Sequence, residues 1–222
     1  VKAFIVLRDR VTYARRCLMA LLEAGLEPVV VDHGSTWPEA VAWLDWLEMD
    51  GRLVLRRGGG RPQAIWEWEP FREACGSERY ILTDPDSVPS EDCPPDWPAR
   101  LSALLDRFPK QKAGLGLRID RIPPHYQRRD HVLSWEQQFW QQPLADGVYD
   151  AAIDTTLAMY RPLSKVPYPS GDALRTGPPY VADHLAWYED LDDLTPELRW
   201  YYEHIEPGIA FWTAPGKSCW GN

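Results

Sequence analysis

"AFIVLRDRVTYARRCLMALLEAGLEPVVVD", Ala3 to Asp32, changes its period twice. Ala3 to Leu7 is a continuous apolar run of strand length. From Thr12 the leucines fall at helical spacing, with Thr12 as the expected cap and Gly25 as the stop, and "EPVVVD" is again a short strand. The unit repeats directly. "STWPEAVAWLDWLEMDG", Ser35 to Gly51, offers a Ser/Thr cap, Pro38 near the first turn, and Val41, Leu44 and Leu47 on one face. "RLVLR" follows as a strand, "GGGR" (Gly58 to Arg61) as a loop, "PQAIWEWEPFREACG" as a broken or partly helical stretch, and "RYILT" as a fourth strand. Strands alternating with helices build an α/β domain on a mainly parallel sheet, and ligands of such sheets gather at the carboxyl ends of the strands. Arg8 and Asp9, Asp32 and His33, the Gly58 to Arg61 loop, and Asp84 with Asp86 all fall at that edge.

The second half is less regular. "DWPARLSALLDRF" reads as a helix, "KAGLGLRI" as a strand, "WEQQFWQQ" as a short helix, and "YDAAIDTTLAMYRP" as a strand joining the sheet in the opposite sense. "ALRTGPPYVADHLAWYED" and "TPELRWYYEHIEPGIAFWT" read as loops with short aromatic helices. The 222 residues are expected to form a single domain, 1–222, with a ligand-binding half, 1–112, and an irregular half, 113–222.

A net charge of −9 argues against a protein that clamps nucleic acid over a broad basic surface, although "RRGGGR" supplies one local basic loop. No apolar run has the length of a bilayer span. Cys17, Cys75, Cys93 and Cys219 lie far apart with no CxxC pair, which fits buried thiols in a reducing compartment and hence the cytoplasm. Twelve tryptophans either fill cores or stack on sugar faces. Trp135, Trp140 and Trp187 lie on segments able to line an acceptor, with core packing as the simpler role.

"YILTDPDSVP", Tyr80 to Pro89, places two carboxylates one residue apart where a strand ends. Like charges so close raise each other's pKa unless a cation sits between them, so Asp84 and Asp86 form a candidate clamp for a divalent ion gripping a diphosphate. "DPDS" is also good turn chemistry. In "VVVDHGST" a carboxylate at a strand end suits hydrogen bonding to a ribose or base, and in "RRGGGRP" the glycines allow close backbone approach while the arginines suit phosphate. As structure alone, these are a strand end before a helix and a flexible loop.

Taken together these residues resemble the GT-A glycosyltransferases, family 2 type, over the first half of the chain. The resemblance implies a GT-A sheet and hexosyl transfer (EC 2.4 class) from a nucleoside-diphosphate sugar, with uridine as the expected base, assisted by Mn²⁺ or Mg²⁺. Leu7, Arg8, Asp32, Gly59, Gly60, Arg61 and Asp84 would then bind the nucleotide sugar. The Asp-x-Asp (DXD) motif, Asp84 and Asp86, would hold the metal, and His184 would complete its sphere, with His204 read as a packed histidine. The sequence departs from the family in "LRDRVTY" after the first strand and in its second half. Inversion at the sugar needs a carboxylate to take the acceptor's proton. Asp154, flanked by apolar residues, is the expected base, with Asp120 and Asp183 as rivals, and "YEDLDD" reads as a solvated turn. The acceptor is a saccharide or another hydroxyl compound. Two alternatives stay open: a HAD-like phosphohydrolase using "DPDSV", and a non-catalytic carbohydrate-binding protein. GxGxxG after the first strand and GxxxxGK[ST] are both absent from the sequence.

Overall fold

A computed structural model describes residues 1–59, 62–145, 147–153, 156–162 and 172–205. Ten strands among them form one sheet: β1 (Lys2–Leu7), β2 (Glu27–Asp32), β3 (Val54–Arg56), β4 (Tyr80–Thr83), β5 (Ser87–Pro89), β6 (Lys112–Leu117), β7 (Pro143–Ala145), β8 (Val148–Asp150), β9 (Ala158–Tyr160) and β10 (Ala173–His184). Their order is β3-β2-β1-β4-β9-β6-β10-β8-β7, with β5 paired to β10. The helices are α1 (Val11–Glu23), α2 (Pro38–Met49), α3 (Glu69–Cys75), α4 (Trp97–Arg107), α5 (Arg129–Glu136) and α6 (Pro196–His204).

The first four strands are parallel: β1 runs beside β2 from Lys2↔Glu27 to Leu7↔Asp32, and β4 pairs with the other edge of β1. β9 enters between β4 and β6 antiparallel to both, the opposite sense expected of "YDAAIDTTLAMYRP", but that stretch is not the one strand expected: its start belongs to β8, which pairs with β10 and β7, and its end to β9. Alternation along β1 sends Ala3, Ile5 and Leu7 to one core with α1, α2 and α4, and Phe4 and Val6 to a second core with Phe71 and Cys75 of α3. Both faces of the central strands are therefore buried, which is why they read as unbroken apolar runs. Trp187 is wholly buried, and Trp140 packs edge-on to Tyr149 as Trp135 does to Phe139. Cys17 and Cys75 are buried and Cys93 is half-buried, all three free, while Cys219 lies outside the described residues. No helix among the described residues is long and apolar enough to cross a membrane.

Three local expectations are corrected. "ALRTGPPYVADH" is a strand of twelve residues, not a loop: it pairs with β6, β8 and β5, and the exposed Pro178 and Pro179, which cannot donate to a ladder, sit in a bulge between Thr176 and Val181. Thr12 does not cap α1. Arg10 holds that position, and Thr12 gives both its N–H and its hydroxyl to the Glu197 carboxylate. The Ser35-Thr36 pair does not cap α2 by side chain either. Asp9 reaches across from the β1–α1 turn and accepts the Thr36 and Trp37 N–H groups at 2.5 and 2.7 Å.

Candidate active site

β1 has β2 on one side and β4 on the other, so the connections leaving β1 and β4 diverge and open a crevice at their carboxyl ends. Arg10, at the mouth of α1, and Asp86, beyond β4, meet across it: Arg10 Nη1 lies 2.6 Å from Asp86 Oδ2, with side chains 12% and 4% exposed. The guanidinium lies over the Tyr201 ring at 4.6 Å. Burial alone would raise the Asp86 carboxyl, but Arg10 and then His184 outweigh it and hold it below the usual carboxylate range. Burial likewise opposes the charge on Arg10, and Asp86 overcomes it.

His184 arrives by strand register. β5 and β10 pair antiparallel with His184 opposite Ser87, and Leu185 N–H donates to the Asp86 carbonyl at 2.7 Å. This brings His184 Nε2 to 3.6 Å from Asp86 Oδ2, with the imidazole stacked on Trp187 at 4.7 Å. Burial pushes the imidazole below its ordinary pKa; Asp86 resists that shift and Arg10 reinforces it. A neutral ring is the form that ligates metals. Asp86 Oδ1 and His184 Nδ1 are buried and have no hydrogen-bond partner among the described residues.

Asp84 is half-buried at the end of β4, and among the described residues no three His, Cys, Asp or Glu side chains gather as a metal-binding group. Asp84, Asp86 and His184 thus do not form the expected three-ligand set. Asp86 and His184 do come together, with a free carboxylate oxygen, and a small hard cation needs only one or two protein ligands when phosphate oxygens and water fill the remaining positions. One free carboxylate oxygen beside a neutral imidazole is a donor set that fits a divalent cation.

Beside the crevice, the Asp32 carboxylate is buried at the end of β2 and accepts Ser35 N–H at 2.9 Å. His33 N–H donates to the Leu7 carbonyl at 2.8 Å, and Ser35 Oγ accepts Asp9 N–H at 2.9 Å. The Leu7 side chain lies in the core, so only its backbone faces this edge. Gly34 approaches Gly58 and Gly59 so closely that a Cβ there would stand 3.1 Å from Gly59 N. The turn carrying Asp32 and the start of the glycine loop are therefore neighbours, as their positions at the edge predict. Gly60 and Arg61 lie outside the described residues. Arg8 Nη2 donates to the His204 carbonyl at 3.3 Å. His204 stacks on Trp200 at 4.0 Å but is exposed, so it is not the packed histidine expected.

"YEDLDD" is only in part the solvated turn it was expected to be. Asp190 and Asp192 are exposed, but Glu189 is 6% exposed and accepts the Tyr13 and Tyr202 hydroxyls at 2.8 and 2.6 Å. Burial raises its pKa against the pull of those hydrogen bonds and of Arg10. Sequence reasoning missed Arg10 and Glu189, and placed Asp9 at this edge without giving it a role. Only "RDR" at the first strand's exit carried a signal for Arg10 and Asp9, and Glu189 needed α6 in place to be seen. Among the carboxylates weighed as bases, Asp154 lies outside the described residues, Asp120 is mostly exposed beside Arg118, and Asp183 accepts the Tyr188 hydroxyl at 3.3 Å.

No protein-family model matches the sequence, and no curated protein matches it. Solved structures do. A mannosyltransferase, PcManGT from Pyrobaculum calidifontis, in complex with GDP-Man and Mn²⁺, is 17% identical and superposes with a TM-score of 0.52 over 90% of this chain and 59% of its own. TarS from S. aureus is 10% identical, with a TM-score of 0.52 over 97% of this chain and 40% of its own. This chain therefore spans about three fifths and two fifths of those two chains. At such identities the likeness speaks to architecture, and the architecture is the GT-A-like fold of glycosyltransferases.

Proposed function

We propose that the protein transfers a sugar from a nucleoside-diphosphate sugar to an acceptor hydroxyl. The observation that carries this reading is the Asp86–His184 pair at the switch point of the sheet, with its unused Asp86 oxygen, beside the Asp32 and Gly58–Gly59 turns. Asp86 and His184 would hold a divalent cation whose charge stabilises the departing diphosphate. Asp32 and the glycine turn would take the nucleoside, and Asp84 the ribose or donor sugar. Resemblance favours a uridine donor, while the mannosyltransferase neighbour carries GDP-Man, so both bases belong in the test. For the base we keep Asp154. Its described flanks run to the carboxyl edge of β4, where Leu157 N–H donates to Thr83 Oγ1 at 3.2 Å just before Asp84. Nothing in the site favours the phosphohydrolase alternative, whose nucleophile would be Asp84, at the end of a fourth strand rather than a first.

Calorimetric titration of UDP and GDP, with and without Mn²⁺, tests the assignment. Binding is expected only with metal, and Asp86→Asn should weaken it at least tenfold while the protein stays folded by circular dichroism. Nucleotide binding that ignores both metal and Asp86 would overturn the metal role. A protein that binds free saccharides and no nucleotide would be a carbohydrate-binding module instead.

A further inference from the structure

Arg10 occupies an unusual position for a residue outside any expected ligand set. It is a permanent cation, buried in the crevice, 2.6 Å from the carboxylate that would hold the metal, and braced by the Tyr201 ring. One of its five N–H donors reaches Asp86, whereas Nε is buried without a hydrogen-bond partner among the described residues. A buried donor so close to an anion's expected place is a group that lacks its acceptor.

The charges decide what the site accepts. Arg10 and Asp86 cancel each other. A bare dication placed on Asp86 would add two positive charges against a fixed guanidinium a few ångströms away, where water screens poorly. A dication bearing a diphosphate is close to neutral and offers Arg10 phosphate oxygens, which suit its planar fork of donors.

We propose that Arg10 is a diphosphate-binding residue that holds Asp86 until ligand arrives, so that the divalent cation binds well only together with a nucleoside diphosphate. Resting on the nucleotide-sugar reading above, this inference assigns to Arg10 the coupling between the two ligands. By linkage, whatever factor the nucleotide adds to metal affinity, the metal adds to nucleotide affinity.

Free Mn²⁺ measured by electron paramagnetic resonance, with and without saturating UDP or GDP and corrected for the Mn²⁺–nucleotide complex in solution, reads this coupling directly. The wild-type protein should bind Mn²⁺ at least tenfold more tightly with nucleotide. Arg10→Met should tighten binding of Mn²⁺ alone about fivefold or more, weaken nucleotide binding, and bring the enhancement below threefold. Arg10→Lys, which keeps the charge without the fork, should retain part of it. Unchanged coupling in both variants overturns the inference while leaving the nucleotide reading intact. Equal Mn²⁺ affinity with and without nucleotide in the wild type overturns the inference and, by linkage, the metal role proposed above, while nucleotide binding itself stands. A wild-type protein that binds no nucleotide under any condition sinks both. Thermal melting of each variant identifies a folding failure, and Arg10→Lys with the wild-type pair of titrations then decides.

Discussion

Asp9 shows how much of this site hangs on one short turn. Its φ of 61° is left-handed, the residue is 1% exposed, and its Oδ1 accepts the Thr36 and Trp37 N–H groups just ahead of α2. Replacing it separates three contributions. Asp9→Asn keeps an acceptor and tolerates the backbone but loses the charge, at a cost of about 1–2 kcal/mol, the difference between charged and neutral hydrogen bonds. Asp9→Ala leaves two partly buried amides without an acceptor, about 1–2 kcal/mol each, the low end of the usual range because Thr36 is exposed, and adds about 1 kcal/mol of left-handed strain, so roughly 3–5 kcal/mol in all. Asp9→Gly loses the same acceptors without the strain and should be about 1 kcal/mol more stable than Ala. For a chain of this size, Asp9→Ala should then melt about 10 °C lower. Urea unfolding followed by tryptophan fluorescence gives the order wild type, Asn, Gly, Ala. An Ala variant within 1 kcal/mol of wild type, or a Gly variant less stable than Ala, would refute the reasoning.

The remaining predictions concern packing, paired charge and pH. Arg175 and Glu136 form a buried pair, 2.6 Å apart with side chains 4% and 5% exposed, and Arg175 Nε also donates to the Ala152 carbonyl beside the Asp154 segment. Arg175→Met or Glu136→Gln alone should cost about 3–5 kcal/mol in urea unfolding, and Arg175→Met with Glu136→Leu should recover most of it. Gly116→Ala would put a Cβ 2.4 Å from the Thr176 carbonyl oxygen and 2.7 Å from Trp140, so it should lower stability by about 2–3 kcal/mol. Glu189 has a raised pKa in the folded chain, so the folded state holds its proton more tightly than the unfolded one. The stability this confers is full below the ordinary value of 4.5 and fades as pH rises through the folded value. Urea midpoints measured from pH 4 to pH 8 should therefore fall relative to those of Glu189→Gln, and parallel profiles would remove Glu189 as the cause.

What the sequence made legible was whatever depends on neighbours along the chain. The alternation from β1 to β4 and the gathering of Asp32, Gly58–Gly59, Asp84 and Asp86 at one edge follow from local periodicity plus the handed geometry of parallel sheets. The caps failed because the donors and acceptors involved are remote in sequence: Asp9 takes the Thr36 and Trp37 amides just ahead of α2, and Thr12 turns to Glu197. β10 failed because Gly177, Pro178 and Pro179 carry the signature of a loop, yet a bulge absorbs them while three neighbouring strands hold the rest. His184 was singled out for its chemistry but expected in a loop, whereas it ends β10. Its position opposite Ser87 is a matter of register, and register between β5 and β10 is not written in either segment alone.

The late helix explains why so many of the missed residues lie together. Through α6, Glu197 reaches Thr12, Trp200 Nε1 reaches Thr36 Oγ1 at 3.2 Å, Tyr201 covers Arg10, Tyr202 reaches Glu189, and the His204 carbonyl takes Arg8. This short aromatic helix thus touches the exits of both β1 and β2 and shields the Arg10–Asp86 pair from water. Shielding raises the desolvation cost of both charges, and it also strengthens their attraction, so removing either partner leaves a buried charge that nothing offsets. An incoming ligand must therefore supply both signs at once to replace what the pair already has. A metal-bound diphosphate does so, whereas phosphate or metal alone supplies only one.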